Sequence, residues 1–200
     1  IKVYPGRPII NSISLEEYAP GVSKIDALVP ETCFHHPLYI ALATDSQGPA
    51  LTADKKVELA KKIMEACLTH GVTPDQLLID VNAFPIGAES VEGMNFSLES
   101  LKAIPRIKAL HPGIKTTIGV GNLTNGLAQK PYMRMVLTSV FLEEGRKRGL
   151  DAAIVNPNHY VPVESIDRHD YELGLKVILE RDMEAFSKLD NTEVRVKIIH

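Results

Sequence analysis

Residues 76–81 read Q-L-L-I-D-V, a short apolar run that ends beside a carboxylate. Four other apolar runs have the same character, at residues 7–14, 37–44, 115–120 and 152–156. All five are nearly continuous in apolar residues, whereas a strand with one wet face alternates apolar and polar residues. They therefore predict five parallel strands that are covered on both faces.

Helical patterns separate these strands. Apolar residues recur at helical spacing in residues 22–28, 53–70, 97–110, 131–148 and 165–188. Ser97 is expected to cap the third of these helices, and Pro105 to kink it or break it in two. Gly71 and Gly149 are expected to end the second and the fourth. Strands that alternate with helices predict an α/β fold with a parallel sheet.

Polar residues at the predicted strand ends favour a barrel over an open sheet. They follow every strand, as Asn11-Ser12, Thr44-Asp45, Asp80, Gly121-Asn122 and Asn156. Barrel enzymes build their sites from the loops after all strands, whereas open sheets bind ligands near a switch point. Five strands make an incomplete barrel whose first and last strands have unpaired edges, and such edges favour association, for example as a homodimer.

Composition excludes several classes of function. The apolar fraction of 44% and the charged fraction of 24% are those of a soluble globular domain. The net charge of −3 provides no basic surface for nucleic acid or an anionic membrane. Two cysteines, Cys33 and Cys67, are too few for a disulfide framework and indicate a reducing, cytoplasmic location. His35 and His36 adjoin Cys33, but no second pair follows at ligand spacing, so no metal site is predicted.

Four motifs occur in order along the chain: I-N-S-I-S at 10–14, L-I-D at 78–80, G-V-G-N-L-T at 119–124 and G-L-D-A-A-I-V-N-P at 149–157. Together they resemble the pterin-binding domain of cobalamin-dependent methionine synthase and of the methyltetrahydrofolate:corrinoid/iron–sulfur protein methyltransferases. The resemblance implies a (β/α)8 TIM-type barrel of the dihydropteroate synthase-like type. Residues 1–189 would be its C-terminal portion, with about the last five β/α units. The first three strands would lie upstream of Ile1, and residues 190–200 form an unassigned tail.

Asp80, Asn11 and Asn122 are the main candidates for binding a pterin. The ring presents an amide and an amine on one edge, and the carboxylate of Asp80 can accept both hydrogen bonds. A carboxamide offers a donor and an acceptor, which suits a heterocycle with mixed edges. Structural alternatives stay open, because Asp80 can instead bind amides in its own loop and the asparagines can form Asx turns.

Further candidates for substrate binding lie near the third and fourth motifs. Asn125 and Asn156 are two of them. The family also places an arginine after the third motif, and counting from opposite ends of that segment assigns it to Arg134 or near Lys130. Both cations stay candidates for contact with the folate.

The resemblance implies a methyltransferase that takes the N5 methyl group of methyltetrahydrofolate. The acceptor would be a Co(I) corrinoid, such as cobalamin, supplied by a partner domain or protein. Asn122 is the predicted catalytic residue, because its oxygen can accept a hydrogen bond from N5 as that atom gains a proton. Two alternatives remain: a dihydropteroate synthase-like pterin enzyme, and a non-catalytic barrel half that docks a corrinoid protein.

Overall fold

The computed structural model describes residues 3–86 and 93–192, and strands and helices alternate along them. The strands are β1 (Ile9–Leu15), β2 (Glu17–Ala19), β3 (Val22–Ser23), β4 (Leu38–Asp45), β5 (Gly48–Pro49), β6 (Leu77–Asp80) and β7 (Lys115–Thr117). The α-helices are α1 (Lys24–Thr32), α2 (Ala53–Thr69), α3 (Phe96–Lys108), α4 (Pro131–Lys147), α5 (Arg168–Glu180) and α6 (Met183–Asp190).

The main sheet is parallel and follows the order of the chain. Strand β1 pairs with β4, β4 with β6, and β6 with β7, all in the parallel direction. A helix lies in each connection between neighbouring parallel strands, as it does in the wall of a β/α barrel. Strand β5 adds a short antiparallel piece to β4, and β2 and β3 form a separate hairpin. The predicted α/β class and the first four predicted strands are thus confirmed.

The prediction of a fifth regular strand at residues 152–156 is wrong, although this segment runs beside β7 and the residues that follow it. The Ile154 amide donates to the Ile118 carbonyl at 2.8 Å, and the Ile154 carbonyl accepts from Val120 at 3.2 Å. At the start of this segment, the side chain of Asp151 accepts the Thr116 amide at 2.8 Å. In a regular parallel ladder, a backbone carbonyl would accept the Thr116 amide. Because a side chain accepts it instead, the segment forms only an isolated bridge, between Gly119 and Ile154.

Helix α3 differs from its prediction at two points. Asn95 caps it instead of Ser97, since its side chain accepts the Leu98 amide at 3.0 Å. Asn95 has extended backbone angles, as a capping residue requires, whereas Ser97 already lies within the helix. Pro105 does not break the helix, which continues to Lys108.

The predicted final helix is two helices, α5 and α6. Arg181 adopts a left-handed conformation with φ of 57°, which ends α5. The Asp182 side chain then accepts the amides of Glu184 and Ala185, both at 2.9 Å, and starts α6. A local cap therefore overrides the helical periodicity of this region. Residues 193–200, most of the unassigned tail, lie outside the described part of the chain.

Two predicted helix ends are confirmed. Gly71 and Gly149 follow α2 and α4 with φ of 76° and 91°, which a glycine adopts without strain. Helix α1 starts two residues later than predicted and runs on to Thr32, with Pro30 inside it. None of the helices in the described ranges is long and apolar enough to cross a membrane.

The hydrophobic core lies between the sheet and its helices. All four residues of β6 are buried, as expected of a central strand covered on both faces. Large side chains with no exposed surface make up this core, among them Tyr39, Ile63, Leu77, Ile79, Leu101, Ile104 and Phe141. This packing fixes β6 and the residues that follow it.

A close contact between α4 and α5 gives the first prediction. A Cβ atom on Gly174 would lie 2.9 Å from one methyl group of Val140 and 3.2 Å from one of Val136. We expect Gly174→Ala to lower the free energy of unfolding by about 1 to 2 kcal/mol, because overpacking outweighs the better helix propensity of alanine. Urea denaturation measures the change.

A double-mutant cycle provides the control for Gly174. Val140→Ala removes the nearest methyl group, so adding Gly174→Ala to that variant should cost less than it costs in the native protein. Equal costs in the two backgrounds would show that the clash does not determine the effect.

Candidate functional site

A cleft lies beyond the carboxyl ends of the parallel strands, with a volume of about 340 Å³. It is lined by Glu16, Leu42, Thr44, Pro49, Asp80, Asn82, Ala83, Phe84 and Asn122. Segments after β1, β4, β6 and β7 all contribute to it. This is the edge at which α/β barrels bind their ligands, and the structure brings three of the predicted strand-end residues together there, Thr44, Asp80 and Asn122.

Asp80 ends β6 and is 7% exposed, so most of its carboxylate is shielded from water. Burial raises its pKa, while hydrogen bonds from the backbone amides of Asn82 and Gly119 and the charge of Lys56 act in the opposite direction. The Asn82 amide donates at 2.8 Å. The structural alternative for Asp80 is therefore partly observed: its loop holds the carboxylate. The same bonds orient it in the cleft, ready to accept from a ligand.

Asn82 is a cleft residue that sequence reasoning missed. It is left-handed with φ of 54°, and its side-chain nitrogen donates to the Ala43 carbonyl at 2.8 Å. Its own carbonyl accepts from the hydroxyl of Ser100 at 2.8 Å. Asn82 thereby joins the ends of β4 and β6 to α3. The available signal was an asparagine, which tolerates this conformation, two residues after a strand-end aspartate.

Asn122 lies in a 3₁₀ turn, Val120–Thr124, that follows β7. It is exposed, and its side-chain oxygen is 3.5 Å from the side-chain nitrogen of Asn125. A Cβ atom on Gly119 would lie 3.9 Å from Asn122 Nδ2 and 4.0 Å from Asp80 Oδ2. Asn122 and Asp80 therefore flank one backbone position, and both face the cleft.

Asn11 is not among the described residues that line this cleft. Strand β1 continues beyond it to Leu15, and Asn11 pairs with Ile40 inside the strand. The prediction that Asn11 ends its strand is wrong, because the following residues Ile13 and Ser14 are buried and extend the strand. Its role in binding stays a prediction.

Glu16 takes the place at the end of β1. Its carboxylate accepts from the Ser14 hydroxyl at 2.8 Å and from Lys24 Nζ at 3.0 Å. Both bonds lower the pKa of Glu16 and keep its carboxylate charged, and the bond from Ser14 has the larger effect. The cleft therefore holds a second carboxylate that sequence reasoning missed, although the acidic pair after I-N-S-I-S-L was visible.

Phe84 provides an aromatic side of the cleft and was also missed. Its ring lies 5.2 Å from that of Phe96, tilted by 45°. A tilted pair of this kind holds both rings in place. A planar heterocycle in the cleft can pack against such a ring.

The two candidate cations, Lys130 and Arg134, differ in their hydrogen-bond partners. Lys130 Nζ forms an ion pair with Asp190 at 2.6 Å. Arg134 Nη1 lies 3.3 Å from His159 Nε2, and within the described ranges its buried Nε has no hydrogen-bond partner. Arg134 thus keeps a free donor, whereas Lys130 is already paired.

Asn156 and Asn125 lie outside the residues that line the cleft. The side chain of Asn156 accepts the Asn158 amide at 3.0 Å and so caps the short 3₁₀ turn Pro157–His159. Asn125 is exposed and lies next to Asn122. Their roles in binding stay predictions.

Comparison with known proteins agrees with the four motifs. Residues 1–156 match the family described as "Pterin binding enzyme". The chain is 33% identical over 185 residues to methionine synthase of Mycobacterium leprae and, over the same length, to that of Mycobacterium tuberculosis. These matches cover 92% of this chain and 15% of each synthase.

A third relative has a different name. The chain is 28% identical over 182 residues to the methylcorrinoid:tetrahydrofolate methyltransferase of Eubacterium limosum. That match covers 89% of this chain and 62% of the relative. With the family match and the parallel sheet, these similarities confirm the resemblance read from the motifs. The chain belongs to the pterin binding enzyme family, and its α/β architecture is part of a TIM-type barrel.

Proposed function

We propose that this chain is the folate-binding part of a methyltransferase. It binds methyltetrahydrofolate in the cleft beyond the parallel strands and passes the N5 methyl group to a Co(I) corrinoid held by a partner domain or protein. The observation that carries the proposal is the pair Asp80 and Asn122, which flank Gly119 in one cleft of a chain from the pterin-binding family.

The cleft suits the pterin head of a folate. Its volume of about 340 Å³ falls in the range of small-molecule sites. Asp80 offers a shielded carboxylate to the amide and amine edge of the ring, and Phe84 offers an aromatic surface to its face. The backbone amides of Asn82 and Gly119 already hold the carboxylate in place, so ordering it costs little free energy when the ligand binds.

The charges of the cleft argue against the dihydropteroate synthase-like alternative. That enzyme must bind a pyrophosphate leaving group, for which lysine and arginine are the suitable partners. Among the described residues that line the cleft, Glu16 and Asp80 are carboxylates and none is lysine or arginine. A diphosphate would therefore meet negative charge.

Asn122 supports the chemical step at N5. The bond between the methyl carbon and N5 breaks, its electron pair stays on N5, and N5 takes a proton so that it leaves as a neutral amine. The oxygen of Asn122 accepts a hydrogen bond from the forming N5–H, directly or through water. This interaction is stronger in the transition state than in the ground state, so it raises the rate. The corrinoid supplies the nucleophile when its carrier docks.

A binding and transfer experiment on the full-length protein that contains this chain tests the proposal. Isothermal titration with methyltetrahydrofolate should show binding, and mixing with Co(I) cobalamin should convert the folate to tetrahydrofolate. Binding without conversion would support the non-catalytic docking module instead. Tighter binding of a dihydropterin diphosphate than of methyltetrahydrofolate would support the synthase alternative.

Arg134 is expected to be the cation that approaches the folate. We expect Arg134→Met to weaken methyltetrahydrofolate binding by about fivefold or more, because a charge-assisted hydrogen bond to the glutamate part of the ligand is lost. A pterin without that tail should bind equally to both proteins. Lys130→Met is the matched control and should leave both affinities unchanged, since Lys130 is paired with Asp190. The opposite pattern would assign the contact to Lys130.

A further inference from the structure

Lys56 on α2 has no exposed surface, although lysine is almost never fully buried without a partner. Its ammonium nitrogen donates to the Ala50 carbonyl at 2.8 Å and to the Val81 carbonyl at 2.7 Å. It also lies 5.0 Å from the centre of the Phe84 ring, within the range of a cation–π contact. These three partners account for the burial of a charged group.

The partners of Lys56 belong to the two loops that shape the cleft. Ala50 follows Pro49 in the loop after β4, and Val81 stands between Asp80 and Asn82 in the loop after β6. The nitrogen of Lys56 therefore binds both loops on the side away from the cleft, and it also holds the ring of Phe84 in the cleft wall. Lys56 itself does not line the cleft, so it acts through these neighbours.

We propose that Lys56 is a positioning residue for pterin binding, which fastens the loop of Asp80 and Phe84 to the loop after β4. This inference rests on the proposed function, since pterin is the ligand of the cleft there. An apolar side chain of the same length would fill the space. It would leave the two carbonyls without this donor and the aromatic ring without its cation.

The surroundings of Lys56 make its effect depend on pH. In the described part of the chain no carboxylate lies within 4.0 Å of its nitrogen. Asp80 on β6 and Glu99 on α3 are the charged groups that act on it through space. Burial lowers the pKa of Lys56 to about 7, and these two carboxylates oppose that shift.

The direction of the pH effect follows from this pKa. Below pH 7 the ammonium form predominates, holds Phe84 by its charge and favours the ionised form of Asp80. As the pH rises through the pKa, Lys56 becomes neutral and both effects are lost. Pterin affinity should therefore fall as the pH rises through this range.

Titration calorimetry with methyltetrahydrofolate on the full-length protein, between about pH 6 and about pH 8.5, tests this inference. The native protein should lose affinity around the pKa of Lys56. Lys56→Met should bind about tenfold more weakly at the low end and show no such loss, since one charge-assisted contribution is absent. Lys62→Met is the matched control, because Lys62 is exposed on the same helix, and it should keep the native profile.

Glu99→Gln keeps the test decisive if Lys56→Met does not fold. Glutamine still offers an oxygen to the Ala53 amide, which Glu99 now accepts at 2.7 Å, but it removes a negative charge that raises the pKa of Lys56. The loss of affinity should then begin at lower pH than in the native protein. If Lys56 only filled space, Glu99→Gln would not change the pH at which the affinity begins to fall.

The outcomes separate this inference from the proposed function. A native protein that binds methyltetrahydrofolate at no pH overturns both. A native protein that binds it with the same pH profile as Lys56→Met or Glu99→Gln overturns the role of Lys56 alone and leaves the function standing.

Discussion

Replacing Asn122 with alanine is expected to lower the single-turnover rate of methyl transfer from methyltetrahydrofolate by about 10²-fold or more. Asn122 lines the cleft and flanks the same backbone position as Asp80, so it can reach a ring that Asp80 binds. Its oxygen would stabilise the proton gained by N5, and alanine offers no acceptor there. The affinity for the folate should change less than the rate, because the bond strengthens only as N5 becomes protonated.

The experiment uses saturating methyltetrahydrofolate and Co(I) cobalamin, with the reaction followed by the absorbance of the corrin. Asn191→Ala is the matched control, since Asn191 is an exposed asparagine at the end of α6 and is not among the residues that line the cleft. It should transfer methyl at close to the native rate. If Asn122→Ala also does so, Asn122 only shapes its loop.

The architecture could be predicted from the sequence to the extent that it depends on local pattern. Apolar runs marked the four parallel strands of the main sheet, and β6 carries Asp80 at its end as its sequence suggested. Local patterns failed where a side chain competed with the backbone. Asp151 interrupts the last strand and Asp182 divides the final helix, and in both cases a carboxylate accepts the amides that periodicity assigns to regular structure.

The cleft was predicted only in part, because many of its contacts join residues that are distant in the sequence. Asn82 donates to a carbonyl 39 residues away, and Lys56 donates to one 25 residues away. No spacing rule reports such contacts. Lys56 in particular sits among surface lysines of α2 and is distinguished from them only by its burial. Glu16 was missed for a simpler reason, since the strand end was placed at Asn11-Ser12, whereas β1 runs on to Leu15.

Asp80→Ala is expected to weaken the binding of methyltetrahydrofolate and of a free reduced pterin by the same amount, about 2 to 3 kcal/mol. The lost hydrogen bonds go to the ring, which both ligands share. Asp80 is well placed for a large effect, because the residue is 7% exposed and water competes little for its carboxylate. Titration calorimetry with the two ligands measures the loss.

Asp80→Asn is the matched variant for the charge. It keeps the size of the side chain and one oxygen that can accept the Asn82 amide, but it cannot accept both donors of the pterin edge. Its affinity should fall between those of the native protein and Asp80→Ala. The native affinity should also fall in acid, at a pH above that expected of an ordinary aspartate, because burial raises the pKa of Asp80. Asp80→Asn should lack that acid loss.

Asp80 also holds its own loop, so the binding data need a measure of folding beside them. Removing the carboxylate frees the Asn82 and Gly119 amides, and part of any loss could come from a displaced loop. Displacement would also move Asn82 and Phe84, and it would lower the free energy of unfolding in urea together with the affinity. A folded Asp80→Ala protein with native stability and weak binding of both ligands assigns the loss to the pterin edge. Native affinity in such a protein would make the carboxylate a purely structural group, which serves the loop and not the ligand.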